Sequence, residues 1–83
     1  MTGDEIRRVF NSIAAMAPQP GEQWVHYRGI TVTVKGIALR EADLTPLVLY
    51  EHDEVVWART LAEWGMEVLG TDGKPVRRFR RAE

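Results

Sequence analysis

Two histidines and one short acidic run are the side chains of this sequence best suited to proton or metal chemistry. His52 sits within Glu51-His52-Asp53-Glu54, and an imidazole titrating near neutrality beside carboxylates is the starting material of acid–base catalysis. The spacing argues for a plainer role. Neighbours on a strand point to opposite faces, no second histidine stands at ligand spacing, and Asp53-Glu54 between two apolar runs predicts a solvated hairpin turn. No Ser-His-Asp order, phosphate-binding glycine loop or zinc spacing is present, and the absence of cysteine removes thiolate ligands and nucleophiles. A hydrolase or metal enzyme is the third of three readings. No catalytic residue, metal or cofactor is expected.

His26 shares one face of an extended segment with Trp24 and Arg28, opposite Val25 and Tyr27. A histidine so placed is expected to be structural, hydrogen-bonded to a backbone carbonyl near one end of the barrel. Three tryptophans and two tyrosines exceed what so small a core needs, and surplus aromatic side chains at a barrel mouth are how such domains hold extended peptides. The candidate contact set is His26, Tyr27, Arg28, Trp57, Arg59 and Trp64. Within it, Trp57 is expected half-buried among Val55, Val56 and Ala58, and Trp64, beside Gly65, is expected to be the exposed platform.

Charge supplies the competing reading. The net charge is −1, but residues 24–69 are acidic and the C-terminal segment holds Lys74, Arg77, Arg78, Arg80 and Arg81 against Asp72 and Glu83. Arg77, Arg78, Phe79, Arg80 and Arg81 interleave guanidinium groups with one ring, as in a segment that tracks phosphates and stacks on a base. The same arginines would protect an edge strand or pair with the acidic body. A dedicated nucleic-acid domain is usually basic overall, which this chain is not, so nucleic acid ranks behind a protein partner.

The elements that must position these groups are legible. Thr2 to Glu5 forms a capping box, and Ile6, Val9, Phe10, Ile13, Ala14 and Ala17 fall on one stripe of a helix spanning residues 1–17. Pro18-Gln19-Pro20-Gly21 ends it, so residues 18–23 make a stiff connection. From Trp24 the period becomes two: strands are predicted over 24–28, 31–39 with a bulge at Gly36, 47–51, 55–59, 66–69 and 76–80, with a helical turn capped by Thr60. The fold class is mainly β, a small SH3-like antiparallel barrel of five or six strands over residues 24–83 with an N-terminal α-helix, a single domain overall. An open sheet with the helix across one face is the alternative.

His26-Tyr27-Arg28-Gly29, Val34 to Ala38, Leu44-x-Pro46-Leu47-Val48-Leu49-Tyr50, Trp57-x-Arg59-x-Leu61 and Gly73-x-x-Val76-x-Arg78-Phe79 together resemble the bacterial domain of unknown function 1653. The resemblance covers about residues 24–80 and implies a small SH3-like barrel and no activity. The chain departs from the pattern at Arg40, at Thr60 and in the shorter segment between Tyr50 and Trp57, and its first helix lies outside it.

With 83 residues, 45% hydrophobic and 28% charged, the chain has one core and no apolar run near the roughly 18 residues that span a bilayer. No membrane partner is expected, no signal peptide is visible, and the lack of cysteine suits a cytoplasmic setting. The expected function is a non-enzymatic protein- or peptide-interaction module. A homodimer through Ile6, Val9, Phe10 and Ile13 is expected if the barrel leaves that stripe uncovered.

Overall fold

The computed structural model describes residues 2–82. Its first element, α1, runs Gly3–Met16, and Thr2 caps it by accepting a hydrogen bond from the Glu5 amide at 3.2 Å. The other end is closed from outside. The Gln19 side chain donates to the carbonyls of Ala14 and Ala17, both at 2.8 Å, so orphan acceptors of the last turn are met before the chain leaves. Ala17 and Pro18 are buried, and Gly21 and Glu22 bond to Val34, which fixes the connection to the sheet.

Seven strands follow: β1 (Gln23–His26), β2 (Thr31–Leu39), β3 (Pro46–His52), β4 (Val55–Thr60), β5 (Glu67–Leu69), β6 (Pro75–Arg77) and β7 (Phe79–Arg81). A four-residue helix, α2 (Leu61–Trp64), separates β4 from β5 and is capped by Thr60. The main sheet is antiparallel in the order β4-β3-β2-β1-β7, and β5 pairs with β6 in a second sheet. The expected bulge in β2 lies between Val34 and Gly36, where φ is +149° and only glycine is at ease.

The strand pairing leaves this sheet open. β4 and β7 are both edges, so the closure expected of an SH3-like barrel is absent among the described residues. The cause is local to Arg78. The expected strand over 76–80 breaks there, because the Arg78 amide bonds to the Met66 carbonyl at 2.9 Å while its carbonyl accepts from Tyr27 at 2.8 Å. One segment therefore serves two sheets, and the three residues left for β7 pair with β1 alone.

Alternation places Val32 and Val34 of β2 and Val48 and Tyr50 of β3 on the face where the core forms. Trp64 stacks on Phe79 at 3.8 Å between centroids, with Tyr50 and Trp24 edge-on to Trp64 at 5.3 and 5.6 Å. Such offset and edge-to-face contacts add to what area burial alone provides. Trp64 is 3% exposed, so it is not the exposed platform expected, while Trp57 at 49% is half-buried as expected. The reason is that α2 folds Trp64 over the sheet, whereas Trp57 stands on an edge strand with a neighbour on one side only.

α1 contains no buried residue. Ile6, Phe10 and Ile13 are half-buried, Val9 is 45% exposed and Met16 92%, so the expected packing of the whole stripe is only partial. The radius of gyration is 13.9 Å and the long axis 47 Å. A chain this size folded tightly would have a radius of about 12 Å, so the molecule is drawn out.

Candidate functional site

Four cationic or ionisable side chains meet where β1 ends. His26 closes β1, and its ring lies edge-on to Phe79 at 5.1 Å and tilted against Tyr27 at 4.5 Å. Arg28 follows in the turn, where Gly29 (φ +93°) donates to the His26 carbonyl at 2.7 Å. The Arg28 Nε donates to the Tyr27 hydroxyl at 3.2 Å, and its guanidinium stands 5.5 Å from that ring's centroid. Arg59, on β4, reaches Glu63 at 3.5 Å, and the Arg78 Nε donates to the Glu63 carbonyl at 3.1 Å. Glu63 is thus the hub joining β4 to the β6–β7 junction.

The histidine is held uncharged. Its Nδ1 accepts from the Arg28 amide at 3.2 Å where a bond to a backbone carbonyl was expected, because the turn after β1 brings that amide back to the ring; that nitrogen carries no proton, and protonation there would break the bond. Burial, followed by the positive charges of Arg59, Arg28 and Arg78, pushes its pKa below the ordinary histidine value. Of the three guanidinium groups whose charge acts on the imidazole, Arg59 alone has a carboxylate, that of Glu63, within ion-pair distance among the described residues. Arg59 Nε is buried with no hydrogen-bond partner, as is Trp64 Nε1.

Of the peptide-contact candidates, His26, Tyr27, Arg28 and Arg59 come together, and Trp57 lies two residues from Arg59 on the same face of β4. Trp64 does not join them as a surface, being buried under α2. The arginine run divides. Arg78 joins the histidine, Arg81 pairs with Glu22 at 2.9 Å, and Arg77 and Arg80 line an open cleft of about 520 Å³ with Tyr27, Thr71, Asp72 and Val76. Phe79 is 1% exposed, so its ring is a core group and cannot stack on a base. Alternation supplies the reason, since residues 78, 79 and 80 cannot share one face of a strand.

Glu63 was not among the expected site residues. Its signal was nevertheless present: Thr60 to Glu63 is a second capping spacing, with Thr60 accepting from the Glu63 amide at 3.1 Å, and Arg59 stands four residues before it. The acidic turn behaves as a turn. His52 Nδ1 lies 3.6 Å from an Asp53 carboxylate that is almost wholly in water, and no group of three metal-ligating side chains forms among the described residues.

A family model described as protein of unknown function (DUF1653) matches residues 22–81, and the chain belongs to that family. Three of the motifs quoted from the sequence contribute His26, Arg28, Arg59 and Arg78, while α1 precedes the matched region. No curated protein and no solved structure matches the chain. No helix among the described residues is long and apolar enough to cross a membrane.

Proposed function

We propose that this chain is a non-enzymatic interaction module that receives an acidic segment of a protein partner at His26, Arg28, Arg59 and Arg78. One observation carries the reading: Arg28 bonds to His26 through its amide while Arg59 and Arg78 are tied together at Glu63, and of these three guanidinium groups only that of Arg59 has a carboxylate within ion-pair distance among the described residues. Guanidinium forks suit carboxylates, and the half-exposed Trp57 offers apolar area beside them. A cytoplasmic, bacterial setting is part of this reading.

Titration of a ten-residue polyglutamate peptide, followed by amide NMR shifts, tests it. Shifts centred on residues 26–28, 59 and 78, lost in Arg28→Gln/Arg59→Gln, support the reading; no shift at low salt overturns it. The nucleic-acid reading keeps one specific support, the cleft holding Arg77 and Arg80, neither ion-paired among the described residues. With two phosphate contacts, log K for a single strand would fall with log salt at a slope of roughly −1.4.

A further inference from the structure

β4 is an edge strand without the usual protection. It pairs with β3 in unbroken register from His52 opposite Val55 to Leu47 opposite Thr60, and nothing pairs with its other side. Val55, Val56 and Trp57 are 47%, 54% and 49% exposed, and the strand contains no lysine, proline or bulge. Free edges of this kind recruit further strands.

The direction of its free amides follows from the hairpin. Asp53 and Glu54 have φ of +53° and +62°, the signature of a two-residue type I′ turn, which makes His52 and Val55 a hydrogen-bonded pair. Alternation then turns the amides of Val55, Trp57 and Arg59 toward β3 and those of Val56 and Ala58 outward.

We propose that this outer edge is the contact of a symmetric dimer. Two β4 strands would run antiparallel about a two-fold axis at Val56, fusing two five-stranded sheets into one. Symmetry restricts the choice sharply. An axis perpendicular to the sheet keeps every residue on its own face, so only registers that oppose residues of like parity are allowed, and the outward amides must meet each other. Centring on Val56 lets the two Val56 residues exchange amide bonds and sets Val55 against Trp57 of the second copy, twice. Aromatic and β-branched side chains are favourable cross-strand partners. The same register brings the acidic turn at Asp53 opposite Arg59 of the second copy, again twice. Centring on Trp57 is also allowed but would oppose Val55 to Arg59, and centring on Ala58 would oppose Trp57 to Arg59 and Val56 to Thr60, where the chain leaves for α2; both lose the Val55–Trp57 pairs. A second copy is the occupant because the strand's acidic start and basic end complement each other only when the partner strand is reversed.

The stripe of α1 offers a weaker alternative, since Ile6, Phe10 and Ile13 are already half-covered and a helix has no free backbone to pair. Apart from Arg59, which belongs to both, this proposal does not draw on the cation cluster. Sedimentation equilibrium of the full chain from micromolar to millimolar concentration should show a reversible dimer. Val56→Lys should raise its dissociation constant at least roughly tenfold. Val56→Pro should do the same, because it removes an amide that β3 does not use. Ile13→Glu should leave it unchanged, and far-UV circular dichroism of every variant should match the parent. The amides of Val56 and Ala58 should exchange more slowly as concentration rises. A monomer throughout, a dimer indifferent to both Val56 substitutions, or one lost only on Ile13→Glu would overturn the proposal.

Discussion

At one edge of the main sheet β7 is three residues long and carries Arg80 and Arg81; at the other, β4 runs for six residues with Val55, Val56 and Trp57 in water. Short length and like charge discourage a strand from pairing with its own kind, whereas length and exposed apolar groups invite it. The two edges also differ in what anchors them. β7 is pinned by Phe79, stacked on Trp64 and edge-on to Tyr50 and His26, and by the ion pair of Arg81 with Glu22. β4 is held by its ladder to β3 and by α2 beyond it. Protection and anchoring go together at β7, whereas β4 is anchored along one side by β3 and left unprotected along the other.

The sharpest way to break the contrast is to remove the anchor. Phe79→Ala should cost about 3 to 5 kcal/mol, the range for a fully buried ring, and should be visible as a large fall in melting temperature. A melting temperature within a degree or two of the parent would mean that β7 is held by its backbone alone. Phe10→Ala is the control outside the sheet. Because that ring is only half-buried on a helix with no buried residue, its loss should cost about 1 to 1.5 kcal/mol in denaturant titration. A cost as large as that of Phe79 would place α1 within the core.

A smaller effect sharpens the β4 side. Glu54 holds a left-handed conformation that glycine adopts freely, so Glu54→Gly should stabilise the β3–β4 hairpin by about 0.5 to 1 kcal/mol. A fall in stability would show that the Glu54 side chain, not its backbone, shapes the turn. The smallest expected effect is the pH dependence near β7. His26 has a folded pKa below its ordinary value, so the unfolded chain binds the extra proton first, and stability should be complete above the mid-6 range and decline as pH falls through it. The decline should shrink in His26→Gln. An unchanged profile would show that neither burial nor the arginines around it perturb the imidazole.

The local elements could be read from the residues because their signals are short-range. Thr2 with Glu5, the proline pair at 18 and 20, the alternation of 31–34, Gly36 in β2 and Thr60 before α2 each specify a conformation through bonds and sterics within a few residues. The face of His26 followed likewise from the period of a strand, and the family pattern located the stretches that carry the site.

What tertiary structure decided were the choices between equally allowed neighbours. Nothing local to Arg78 says that its amide will pair with Met66 while its carbonyl serves Tyr27, yet that divided loyalty ends β6, shortens β7 and leaves the sheet open. Trp57 lies in an apolar run and Trp64 between Glu63 and Gly65, yet the path of α2 across the sheet buries Trp64 and leaves Trp57 half-exposed. The grouping of Arg59 and Arg78 around His26 is likewise a matter of which strands lie side by side. Hydrogen bonding and side-chain period are properties of adjacent residues, but edges, clefts and charge clusters belong to pairs of segments far apart in the chain, and their partners are fixed only when the core closes.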